Sequence, residues 1–168
     1  MLLIKDETNN KTFGQPIIDW RSVEFNTMKK FEFLNEGGKF KIVSIGRKCF
    51  IDFTNLEELN LSRNNLVKIE TNSFQYLNKL KKLDLNFNHI IQIETNGFQG
   101  FDNLEELYIG GNKLTKIDSN SFQHLNKLKI LSLGMNQILQ IDTNGFQGLE
   151  NLEELNLMWN KLIKIESN

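Results

Sequence analysis

The sequence predicts a solenoid, a stack of short coils that each lay down one brief parallel strand over a shared apolar core. Three observations predict it. Leucines recur with a 24-residue period through most of the 168-residue chain. Asparagines recur in the same phase. Between them, charged positions alternate in sign from one row to the next.

The leucines come first. Leu56-Glu57-Glu58-Leu59-Asn60-Leu61-Ser62-Arg63-Asn64 begins a row that restarts at Leu80, Leu104, Leu128 and Leu152. Each row fits L-x-x-L-x-L-x-x-N-x-L with isoleucine swaps only, at Ile90, Ile109 and Ile138. In Leu59-Asn60-Leu61 the apolar residues alternate, so a strand there turns both leucines inward and Asn60 outward. One such strand cannot bury its leucines alone, whereas stacking the next coil against it can. Further columns (Ile69, Ile93, Ile117, Ile141, Ile165; Phe74, Phe98, Phe122, Phe146; Leu77, Phe101, Leu125, Leu149) close the core from behind.

This pattern resembles the leucine-rich-repeat family, in its 24-residue class as found in Toll-like receptors and Slit proteins. The resemblance covers residues 42–168 well and residues 1–41 poorly. It implies an α/β solenoid: a right-handed horseshoe with a short parallel strand per repeat on the concave face and irregular or 3-10 segments on the convex side.

The asparagines divide into two columns. Asn64, Asn88, Asn112, Asn136 and Asn160 stand where the chain leaves the strand, and their amides are expected to satisfy backbone groups freed by the turn. Asn72, Asn96, Asn120 and Asn144 precede Ser or Gly, which is turn chemistry on the convex side. Glu57, Lys81, Glu105, Lys129 and Glu153 alternate in sign, as do Glu58, Lys82 and Glu106 before Ile130 ends the run. Opposite charges on adjacent parallel strands, ~4.8 Å apart, favour this register.

The ends are less regular. The chain divides into residues 1–54, an N-terminal arm and degenerate capping repeat, and residues 55–168, five 24-residue rows with the last truncated. Met28-x-x-Phe31-x-Phe33 mimics a strand after a phase slip of four residues, within a capping repeat over 28–53. Residues 13–27 are expected to cover the first coil, Glu36-Gly37-Gly38-Lys39 to form a loop, and polar Lys5–Thr12 to fray. The last coil has no cap of its own, which allows self-association there or a place within a larger receptor ectodomain.

Function is sought on the concave face. Rows pair into a 48-residue unit, and 55–102 differs from 103–150 at 18 positions. Seven of the eight paired slots at the third, fifth, seventh and eighth positions differ, against eleven of the other forty. Candidate partner-binding residues are therefore Arg63, Asp84, Asn86, Phe87, Tyr108, Gly110, Gly111, Ser132, Gly134, Met135, Met158 and Trp159. Gly110, Gly111 and Gly134 are expected to leave a hollow rimmed by Phe87, Tyr108, Met135 and Trp159, an anchor pocket for a protein side chain. The expected function is a protein-binding scaffold; a structural or matrix-type spacer is the alternative.

Composition trims the other classes. With a net charge of -1 and nothing that resembles a basic stripe, nucleic acid is not an expected partner. The longest apolar run, Met1–Ile4, is too short for a membrane span or a secretory signal. A lone Cys49 provides neither a disulfide framework nor a zinc cage. His89 and His124 lack a paired nucleophile, so no enzyme, cofactor or metal site is expected. The missing signal and cysteine caps lean cytoplasmic, while the repeat class leans extracellular.

Overall fold

The computed structural model describes residues 2–6, 11–13, 25–33 and 40–165. Each row supplies one strand of a parallel sheet: β5 (Glu58–Asn60), β7 (Lys82–Asp84), β9 (Glu106–Tyr108), β11 (Ile130–Ser132) and β13 (Glu154–Asn156). The order is β13-β11-β9-β7-β5, with β3 (Lys30–Glu32) added beside β5. Leu59, Leu83, Leu107, Leu131 and Leu155 pair directly, so the 24-residue period is also the strand register. Phe31 pairs with Leu59, four residues beyond one period, which is the phase slip seen in the sequence.

The period produces this register because every inward position is apolar in every coil. Leu56, Leu61, Leu66, Leu80, Leu85, Leu104, Leu107, Leu128 and Leu131 are fully buried. Behind them the phenylalanines form a ladder, from Phe50 on Phe74 to Phe122 on Phe146, with centroids 5.2 to 6.2 Å apart. The asparagine ladder ties coil to coil. Asn88 donates from Nδ2 to the carbonyls of Leu61 and Leu85, both at 3.0 Å, and its Oδ1 accepts the Leu66 amide. Asn112 and Asn136 repeat this pattern, so amides buried at 5% exposure or less are satisfied.

The backs of the coils follow the irregular path expected, as turns bonded from one amide to the carbonyl three residues before, such as Leu77 to Phe74 and Leu80 to Leu77. Two features differ from the sequence reading. Each coil also carries a second, two-residue strand: β6 (Lys68–Ile69), β8 (Gln92–Ile93), β10 (Lys116–Ile117), β12 (Gln140–Ile141) and β14 (Lys164–Ile165). Lastly, the arm is not frayed where it is described. β1 (Leu2–Asp6) pairs antiparallel with both β2 (Lys11–Phe13) and β4 (Phe40–Ile45), joining Lys5 to Thr12 and Lys41. The six-residue β4 offers a free edge, and pairing with it satisfies backbone groups whatever the polarity of the side chains. The cover expected over 13–27 and the loop at Glu36–Lys39 lie largely or wholly outside the described residues.

Candidate functional site

The open face of the six-stranded sheet is built from the third and fifth positions of each row, and its rim from the seventh and eighth. The face is mostly self-satisfied. Lys82 Nζ lies 2.7 Å from Glu106 Oε2 and 5.1 Å from the centroid of the Tyr108 ring, whose hydroxyl donates to the same carboxylate oxygen at 2.9 Å. The hydrogen bond to Lys82 holds Glu106 below the usual carboxylate range, and the same bond raises Lys82. Burial, then Glu106, raises the Tyr108 hydroxyl. At the N-terminal side, Lys30 bridges Glu32 and Glu58 at 3.1 and 3.2 Å.

Fifth-position side chains mainly serve the backbone. Asn60, Asp84 and Asn156 each accept, through Oδ1, the amide two residues on, at 2.8 to 2.9 Å. Burial pushes the Asp84 carboxyl up despite that bond. Where Tyr108 stands in this column, the oxygen is missing, and Asn86 Oδ1 on the neighbouring coil takes the Gly110 amide at 2.6 Å instead. Asp84 and Asn86 thus have structural work. Ser132 and Tyr108 are partly buried on the same face.

The glycines leave no hollow. A Cβ on Gly111 would fall 2.6 Å from Cδ1 of Phe87, whose ring already covers it. One on Gly110 would meet Asn86 Oδ1 at 3.0 Å, and one on Gly134 would meet Asn156 Oδ1 at 3.1 Å. The space freed by each missing side chain is occupied by a neighbour. No anchor pocket results.

The rim column is the distinctive feature. Arg63, Phe87, Gly111, Met135 and Trp159 all have positive φ, between 55° and 64°. That conformation favours glycine and asparagine and costs other L-residues about 1–2 kcal/mol. Yet four of the five are large: Phe87 is 46% exposed, Met135 57% and Trp159 79%, while the Arg63 guanidinium lies 4.9 Å above the Phe87 ring. Met158, in the neighbouring column, is 65% exposed. The sequence reading placed these side chains together but gave no hint of the backbone that presents them.

That reading also missed a neighbouring surface. Beyond the rim, each coil continues as a laddered segment, with Ile91 donating to Val67, Leu139 to Thr115 and Ile163 to Leu139 at 2.8 to 2.9 Å. It exposes an apolar column, Val67 45%, Ile91 53%, Leu139 41% and Ile163 83%, next to exposed His89, Lys113 and Lys161. A tally of each column past the asparagine could have found it.

Of the remaining polar groups, Asn72 Oδ1 is buried without a hydrogen-bond partner. Cys49 Sγ accepts the Gly46 amide at 3.2 Å, and His124 Nε2 donates to Asn96 Oδ1 at 2.9 Å. Among the described residues no group of three or more His, Cys, Asp or Glu could hold a metal ion, and no helix is long and apolar enough to cross a membrane.

A family model described as "Leucine rich repeat" matches residues 39–90 and 102–162, well over half of the chain. No curated protein matches the sequence significantly. Among solved structures, a TLR13–ssRNA13 complex is similar, with 33% sequence identity and a TM-score of 0.60 over 71% of this chain. The chain spans 21% of that protein's chain. This similarity overturns the exclusion of nucleic acid, because a related solenoid was solved with single-stranded RNA. Net charge was a poor guide: single strands are held by stacking on aromatic rings as well as by cations, and the sum of charges says nothing of where they lie.

Proposed function

The chain belongs to the leucine-rich-repeat family, and on that premise we propose that it is a binding scaffold recognising a protein partner through the rim and open face of its six-stranded sheet. The supporting observation is the rim column. Large side chains stand exposed at Phe87, Met135 and Trp159 on a backbone that favours Gly or Asn. A costly conformation that displays exposed apolar groups points to a contact surface. Phe87, backed by Arg63 and seated on Gly111, is the best anchor because its ring is already ordered.

The test is affinity capture with the intact chain and with a Phe87→Asn, Met135→Asn double variant, which suits the backbone while removing the display. Convex Gln99→Ala is the control. The double variant should lose proteins that the wild type and Gln99→Ala retain. Identical recoveries from all three would sink the proposal.

A second reading takes single-stranded RNA as the ligand. It is favoured by the similar solenoid solved in complex with single-stranded RNA.

A further inference from the structure

We infer that the flank running from the rim to the second, two-residue strands binds single-stranded nucleic acid. The inference rests on the second reading above and assigns it a surface. Residues 63–68, 87–92, 111–116, 135–140 and 159–164 form this flank, and together they contain six Lys or Arg and no Asp or Glu. The chain as a whole has 21 acidic residues, so their exclusion here is a segregation that the net charge hides.

The backbone makes these segments one surface. Each is hydrogen-bonded to the next in parallel, from the Phe87 amide on Gly110 to the Lys161 amide on Ile138. Equivalent side chains therefore stand ~4.8 Å apart per coil. Lys68 and Lys116, at the far edge, are paired with Glu94 and Asp142 at 2.8 and 2.6 Å. Lys113 and Lys161 have no ion pair among the described residues, are exposed, and stand two coils apart, about 10 Å. Arg63 adds a third exposed cation over an aromatic ring.

What surrounds these cations selects the ligand. Trp159 presents an exposed ring on one side of the lysine column and Phe87 the rest of a ring that Arg63 already covers, and Ile91, Leu139 and Ile163 present an apolar strip on the other. A folded acidic protein would need charge and shape complementarity, and an acidic polysaccharide offers aliphatic C–H faces but no aromatic planes. A single-stranded nucleic acid supplies both partners, phosphates for the lysines and base faces for the rings. The paired rows also differ at all four of the flank's tenth and twelfth slots, 65/113, 67/115, 89/137 and 91/139.

The experiment is fluorescence anisotropy with a labelled, unstructured 20-nucleotide RNA and, separately, polyglutamate of about equal charge. The intact chain should bind the RNA at least tenfold more tightly than the polyglutamate. Lys113→Glu with Lys161→Glu should weaken RNA binding at least tenfold, with an unchanged melting temperature. The same variant should flatten the slope of log affinity against log salt by about 0.7 for each phosphate no longer neutralised. The convex variant Gln99→Ala should bind as the wild type does. RNA binding unaffected by the lysine reversals, or lost with Gln99→Ala, would overturn the flank assignment while leaving the RNA reading in place. No RNA binding at all would overturn both, and equal binding of polyglutamate would overturn the choice of ligand.

Discussion

Two columns of this molecule share one backbone conformation and answer it with different chemistry. On the convex side Asn72, Asn96, Asn120 and Asn144 have φ of 60° to 61°. On the rim Arg63, Phe87, Met135 and Trp159 have φ of 55° to 60°. In this region the Cβ of any L-residue crowds the following carbonyl, and asparagine is the residue with a side chain that adopts it most readily. The convex column is thus the solution that suits the turn alone. The rim departs from it, and the departures are exposed. Where shape is the only demand the residue suits the backbone; where it does not, the side chain has another use.

The core beneath both columns sets the upper bound on any single effect. Leu107 has 0% exposure in the central coil, and Leu107→Ala should destabilise by ~2–5 kcal/mol in denaturant unfolding. Leu155, the same column in the last coil, is 41% exposed, and its truncation should cost clearly less. Equal losses would mean that the coils do not share one core.

Exchanging residues between the columns tests the comparison directly. Asn120→Met places a rim residue on a convex turn and should cost about 1 kcal/mol in the same measurement. Met135→Asn does the reverse and should stabilise by about 0.5 kcal/mol, since Met135 is 57% exposed and loses little packing. A destabilised Met135→Asn would show that the rim side chain holds the fold together, and the functional argument from strain would fail.

Much of this was legible from residues. The leucine, asparagine and phenylalanine columns impose a register because each inward slot accepts one kind of side chain, and even the slipped strand at Phe31 follows from Met28, Phe31 and Phe33 filling the slots of Leu56, Leu59 and Leu61. The two-residue strands were not legible, because a Lys-Ile or Gln-Ile pair is too short to establish an alternation. The rim backbone was hidden for a different reason: no Gly or Asn column marks it, and only Gly111 betrays it. The hollow failed because a missing side chain was read as empty space, whereas Phe87, Asn86 and Asn156 fill it. The flank escaped because charge was summed over the chain rather than down its columns.

The smallest expected effect lies on the charge ladder, where neither strain nor burial contributes much. Glu57 sits between Lys81 at 2.7 Å and Lys29 at 3.0 Å. Those hydrogen bonds, Lys81 first, lower its carboxyl from 4.5 to about 2. In the unfolded chain the same group titrates near its ordinary value, so the folded state holds its proton more weakly. The sign follows: whatever stability the ladder lends is present above pH ~4.5 and is lost as pH falls through about 2. Carbon-detected NMR titration of the Glu57 carboxyl should give a midpoint near 2, and Lys81→Ala should raise it more than Lys29→Ala. A wild-type midpoint at 4.5 would show that the lysines do not hold it. The alternating charges would then set the register only by avoiding like-charge neighbours, not by forming bonds.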